Sequence, residues 1–151
     1  MTNFSDYTLR VLIYLALNPD RLVTTRTIAD GYSISEHHLT KVVHHLVKTG
    51  VIQSQRGNGG GIRLARAAEK IRIGEVVRAA EQNRTVVECC NDGSCCISDC
   101  CSVSAILTEA YELLYSHLDQ YTLADLTVKS QSLMKQLNIR PPFRAFEKIS
   151  T

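Results

Sequence analysis

The 151-residue chain carries 17 Lys/Arg against 15 Asp/Glu, a net charge of +2, with 44% hydrophobic and 21% charged residues. That composition is ordinary for a soluble globular protein of one or two small domains. No window approaches the roughly 18 apolar residues of a membrane span, and the N-terminus lacks a secretion signal's basic start and apolar run. The expectation is therefore a cytoplasmic protein with no membrane partner.

The charge is uneven. Residues 1–80 hold 11 Lys/Arg and 6 Asp/Glu, whereas residues 81–151 hold 6 and 9. A basic N-terminal half suits a polyanion, with the acidic half facing away from it.

In chain order, Leu9, Val11, Leu12, Tyr14, Leu15 and Leu17 predict a helix over 4–17 with a broad buried face, ended by Asn18-Pro19-Asp20. Thr24 or Thr25 caps a short helix through Ala29, which Gly31 stops. Ser35 is the expected side-chain cap of the next helix, with Ile34 and Leu39 spaced as a hydrophobic staple. Leu39, Val42, Val43, Leu46 and Val47 form one stripe, and Gly50 closes the helix. Its other face carries His37, His38, Thr40, Lys41, His44, His45 and Lys48. Two helices joined by a tight turn, the second presenting donors outward, predict a helix–turn–helix that enters the major groove of double-stranded DNA.

Val51–Gln55 and Ile62–Leu64 read as strands around Arg56-Gly57-Asn58-Gly59-Gly60-Gly61, a glycine-rich wing. Arg56 suits a narrow minor groove, and Arg63 and Arg66 suit phosphates. No Gly-Lys-Ser/Thr follows the glycines, which argues against a nucleotide loop. The expected DNA-contact set is His37, His38, Thr40, Lys41, Arg56, Gly57, Asn58 and Arg63.

Beyond the wing, Glu75–Glu81 reads as a short helix exposing Arg78 and burying Val76 and Val77. Val103, Ile106, Leu107, Ala110, Leu113, Leu114 and Leu118 make an apolar seam longer than one small domain needs. The seam predicts a dimerisation helix, and a two-fold dimer matches a palindromic operator with half-sites about 34 Å apart. Thr122 and Asp125 fit a capping box for a helix over Leu123–Ser130. The fold expectation is mainly α: a winged helix–turn–helix DNA-binding domain over 1–80, a cysteine loop and long dimerisation helix over 81–130, and a mobile C-terminal tail over 131–151.

All six cysteines, Cys89, Cys90, Cys95, Cys96, Cys100 and Cys101, fall within thirteen residues. In a reducing compartment such a cluster favours a soft metal or an iron–sulfur cluster over disulfides. Cys89, Cys95 and Cys101 form a C-x5-C-x5-C series, with Cys90, Cys96 and Cys100 as competing neighbours. No C-x2-C pair exists, so a zinc knuckle does not fit. Three thiolates leave one iron of a cubane to a fourth donor from elsewhere.

Phe4–Arg10, Ile34-Ser35 with Leu39 and Lys41, Arg56–Leu64, Ile71–Val77, the cysteine series and Tyr121–Leu126 together resemble the winged-helix iron–sulfur transcription regulator family. The resemblance favours its nitric-oxide-sensing repressors over its cluster-assembly regulators, whose histidine ligand three residues after the last cysteine is Ser104 here. It implies a 4Fe–4S cluster, rather than 2Fe–2S, held by Cys89, Cys95 and Cys101 with Asp6 from the partner subunit's first helix. It further implies a homodimeric repressor whose operator is released when nitric oxide damages the cluster. Other readings are a sensor of iron, cluster status or redox state, an electron-transfer or cluster-carrier protein without an operator, and a zinc or thiol switch. Enzymatic catalysis is the weakest, because no nucleophile–base pair is legible.

Overall fold

Helix α1 (Asn3–Ala16) starts where the Thr2 hydroxyl accepts a hydrogen bond from the Ser5 amide. Its Val11, Leu12 and Leu15 are fully enclosed, each such side chain contributing roughly 1.5–3 kcal/mol. Just past the helix end lies Asn18, whose buried side chain donates to the Tyr14 carbonyl (2.8 Å) and accepts from Arg21 Nε (2.6 Å). The structure is a computed structural model that describes residues 1–57, 59–81 and 101–139.

Thr24 caps α2 (Thr25–Tyr32) by accepting from the Thr27 amide. Gly31 does not stop this helix, contrary to the sequence expectation. The stop is Ser33, at φ 54°. A Cβ on Gly31 would lie 2.9 Å from Tyr14 Cε2, so the glycine is there for close packing of α2 on α1.

The turn into α3 (Glu36–Lys48) is tied by Ile34 N–H donating to the Ala29 carbonyl (2.9 Å). Ser35 occupies the capping position, but its side chain makes no capping bond. The residue is exposed, so water serves the free amides. Leu39, Val42, Val43 and Leu46 are buried, while Val47 is exposed. At about 100° per residue Val47 lies about 80° from Leu39, beyond the edge of the stripe.

Strands β1 (Ile52–Gln55) and β2 (Gly61–Leu64) pair antiparallel, Ile52 opposite Leu64 and Gln55 opposite Gly61. Gly57 (φ 107°) and Gly59 (φ 79°) supply the positive angles of the tip. Val23 bonds to Ile62 in both directions (3.0 and 2.8 Å), fastening the wing to the segment before α2.

A 3-10 turn (Ala68–Lys70) leads to α4 (Ile73–Glu81), which begins two residues before the expected start. Ile73 N–H donates to the Tyr121 carbonyl (3.0 Å) and Leu123 N–H to the Ile71 carbonyl (2.9 Å), with Ile71 and Leu123 wholly buried between them. Arg78 is not simply exposed: it pairs with Asp119.

Helix α5 (Val103–Leu118) follows the expected seam and has no buried residue. Ile106 is 62% and Leu113 66% exposed. The Thr122–Asp125 pair forms, Asp125 Oδ2 accepting from the Thr122 amide (2.7 Å) and hydroxyl (2.8 Å). These bonds hold the Asp125 carboxyl below its ordinary value. They start only a 3-10 turn (Asp125–Thr127), not the expected helix to Ser130. A separate helix, α6 (Ser130–Gln136), follows, and Leu137 and Ile139 join the core. The segment assigned to a tail thus begins as part of the packed domain. Residues 140–151 lie outside the described residues.

Gly74 faces α5 so closely that a Cβ would fall 2.1 Å from Asp119 Oδ1 and 2.8 Å from the Tyr115 carbonyl. Replacing Gly74 with Ala is expected to destabilise the protein by about 1–3 kcal/mol through overpacking. Urea unfolding measures it, and an unchanged midpoint would contradict the close approach.

Candidate nucleic-acid interface

The outward face of α3 presents His37, His38, Thr40, Lys41, His44 and Lys48, all exposed. The Thr40 hydroxyl donates to the Glu36 carbonyl (2.8 Å), which leaves its oxygen free to accept. Arg56 and Gly57 are exposed at the wing tip, and Arg63 is exposed on β2 opposite Gln53. Asn58 lies outside the described residues. The Val51 amide donates to the Leu46 carbonyl (3.1 Å), so the wing follows directly from the last turns of α3.

Two residues depart from the expected surface. His45 is half-buried with its ring edge-on to Phe4 (centroids 5.4 Å apart). Burial, then the neighbouring Lys48 charge, lowers its pKa. Arg66 leans toward Glu75 (3.4 Å), an exposed pair of little energetic consequence. Arg26, which the sequence pattern did not single out, is exposed on α2 beside its N-terminal threonines. The first helix of a helix–turn–helix crosses the phosphate backbone, and that general geometry was the available signal.

His38 has a second neighbour besides solvent. The Tyr7 ring of α1 stacks on it, with centroids 6.3 Å apart and planes at 24°. Tyr7 adjoins Asp6, whose Oδ2 accepts from Arg10 Nε at 2.9 Å in a solvent-open pair. Arg10 also lies over the Tyr32 ring (5.6 Å) at the end of α2. Burial, partly opposed by Arg10, pushes the Tyr32 hydroxyl up to about 12.

The first turn of α1 is fixed to the end of α4. Glu81 Oε1 accepts from the Thr2 amide (2.7 Å), the Thr2 hydroxyl (3.2 Å) and the buried Ser5 hydroxyl. Cys101, a free thiol of intermediate exposure, stands just before α5. Cys89 and Cys95 lie outside the described residues, as do Cys90, Cys96 and Cys100. Among the described residues no three of His, Cys, Asp and Glu gather as a metal site. A reduced thiol at Cys101 and an accessible carboxylate at Asp6 are donors of the kind an iron–sulfur cluster takes. Among the described residues no helix is long and apolar enough to cross a membrane.

Residues 1–129 match the family model Rrf2, described as an iron-dependent transcriptional regulator. The HTH-type transcriptional regulator NsrR of Bacillus licheniformis is 44% identical over 141 residues, covering 91% of this chain and 99% of that protein. The NsrR of Bacillus subtilis is 44% identical over 143 residues, covering 93% and 98%. Among solved structures, IscR of T. potens aligns with a TM-score of 0.69 at 22% identity, over 87% of this chain and 88% of that one. CymR, the global cysteine regulator of B. subtilis, aligns with a TM-score of 0.64 at 27% identity, over 85% and 96%.

Because the folded state lowers the His45 pKa, its protonation opposes folding. The stability it influences is full above pH about 6.5 and falls as pH drops through the folded value. Between pH 7.5 and 5.5 the parent protein is expected to lose more urea resistance than His45→Gln. Equal losses would contradict the buried position.

Proposed function

The chain belongs to the Rrf2 family of iron-dependent transcriptional regulators, and from that premise we propose that it is a homodimeric DNA-binding repressor whose iron–sulfur cluster senses nitric oxide. The observation that carries this reading is the juxtaposition on α1. Asp6 stands beside Tyr7, which rests on His38 of the outward helix, and the same turn is tied through Glu81 to the start of the cysteine segment. Cys89, Cys95 and Cys101 would hold a 4Fe–4S cluster, with Asp6 of the partner subunit as the fourth donor. Such a cluster supplies iron that nitric oxide can attack, displacing a protein ligand.

The response to that loss lies in the chain's own residues. Asp6 has its ion-pair partner one turn along, so a released carboxylate returns to Arg10. Helix α1 then shifts as one body, and the Tyr7 ring moves with it. His38 and the rest of the contact set, His37, Thr40 and Lys41, shift with that ring. Arg56, Gly57, Asn58 and Arg63 of the wing keep the minor-groove and phosphate contacts. Operator affinity depends on both half-sites being held together, so a small shift at each α3 weakens binding steeply.

The exposed seam of α5 supports the dimer. Val103, Ile106, Leu113 and Leu114 all face solvent in the single chain, an apolar stripe of the kind that marks a protein interface. Similarity to the NsrR proteins over 91–93% of the chain supports the nitric-oxide reading over other signals.

Protein purified without air tests the proposal. It is expected to be brown, to contain iron and acid-labile sulfide in equal amounts, and to release its operator on addition of nitric oxide. Colourless protein with unaltered operator binding would refute it, and release by chelator or oxygen alone would favour an iron or redox sensor. Asp6→Ala is expected to fold normally yet alter the cluster spectrum, and an identical spectrum would remove Asp6 from the ligand set. Arg56→Ala is expected to weaken operator binding by about 1–3 kcal/mol at fixed salt if Arg56 reads a groove edge. Unchanged affinity would contradict the wing contact.

A further inference from the structure

Helix α5 is seated at one end. The residues it packs against the core are Tyr115 and Leu118, both in its C-terminal part. That end is fastened by a compact group of contacts. Arg78 Nη1 donates to Asp119 Oδ1 (3.1 Å) and Nη2 to Oδ2, a two-pronged pair. The same guanidinium lies over the Tyr115 ring at 4.9 Å. Arg72 Nη1 donates to the Asp119 carbonyl (3.3 Å). Gly74 lets the α4 backbone come up against Asp119 and the Tyr115 carbonyl, where any side chain would collide.

The other end of α5 begins at Val103, two residues after Cys101, and its Val103 and Ile106 are exposed. The two ends are separated by about 24 Å of helix. A rotation of about 5° at the fastened end therefore moves the cysteine end by about 2 Å. From the fastened end, rigid contacts lead to the DNA face: α4 holds α1 through Glu81, and α1 holds α3 through Tyr7 and Phe4.

We propose that Arg78, Asp119 and Gly74 form the fulcrum of α5, fixing its angle to the winged domain and so determining which half-site spacing the dimer accepts. They are positioning residues, remote from the outward face of α3. The proposal rests on the dimeric DNA-binding reading. The partner docks on the exposed seam of α5, so the angle between that seam and α3 sets the separation of the two recognition helices. Operator geometry is unforgiving in this respect. One added base pair displaces a half-site by about 3.4 Å and rotates it by about 35°. A guanidinium–carboxylate pair with two parallel bonds fixes orientation as well as distance, which a single contact does not.

The test uses a duplex recovered by repeated selection from a random-sequence pool on the wild-type protein, and versions of it with one base pair removed or one or two added at the centre. Wild-type protein is expected to lose affinity about tenfold or more for each changed spacing. Asp119→Asn keeps the side-chain shape and removes the charge, and Gly74→Ala pushes the two helices apart. Each is expected to stay folded and dimeric by thermal melting and native mass, to bind an isolated half-site as wild type does, and to discriminate spacings by less than about threefold or with a displaced optimum. A merely structural role would lower stability without changing the spacing profile. Wild-type discrimination with an unaltered profile in both variants would overturn the fulcrum alone. Wild-type indifference to spacing would overturn it together with the dimeric reading.

Discussion

Glu81, the last described residue of α4, accepts hydrogen bonds from three donors in the first turns of α1, and one of them, Ser5, has no solvent exposure. Burial alone raises this carboxyl, but the Ser5 and Thr2 donors outweigh it and hold it below the ordinary glutamate range. The carboxylate is only partly buried, and its three bonds give the contact a defined geometry. The knot therefore fixes the start of α1 to the end of α4. The rest of α1 is committed elsewhere: its buried face fills the core, Gly31 brings α2 against Tyr14, and Phe4 and Tyr7 meet His45 and His38 of α3. One helix is thus shared by the core, the outward helix and the end of α4. In the proposed reading this sharing turns a ligand change at Asp6 into a displacement at the DNA.

Much of this was legible from sequence because local rules decide it. The stripe Leu39, Val42, Val43, Leu46 and the glycines at 57 and 59 announce a helix and a wing without any long-range contact. The roles of Gly31 and Gly74 were not legible. Gly31 looks like a stop and Gly74 like part of the lead into a helix, yet each is small because a ring or a carboxylate from another element presses on it. The Arg78–Asp119 pair spans 41 residues and leaves no periodic trace. Leu137 and Ile139 sit among polar neighbours and next to two prolines, so composition suggested a tail where the chain returns to the core. Ser35 kept its capping position without its bond, since an exposed helix start has water as an alternative. Of the candidate site, the outward residues of α3 and the wing arginines follow from amphipathicity. Asp6 does not, because an acid in the first helical turn is favoured by the helix dipole whatever else it does.

The two ends of α5 divide the labour. Its C-terminal end is locked by charge, ring and backbone contacts to α4, while its apolar seam is exposed. The Ile71–Ile73 and Tyr121–Leu123 stretches, far apart in sequence, pair backbone to backbone beneath this lock. That pairing explains why both stretches carry enclosed aliphatic side chains and why α5 meets the winged domain at a defined place.

The coupling of α1 to α3 is tested most directly by removing the ring that joins them. Tyr7→Ala protein, prepared without air, is titrated with nitric oxide while cluster absorbance and operator binding are followed together. The account predicts that the absorbance responds as in the parent, whereas the ratio of operator affinities before and after nitric oxide shrinks toward one. Full release of the operator by Tyr7→Ala would show that the signal reaches the DNA by another route and would contradict the account.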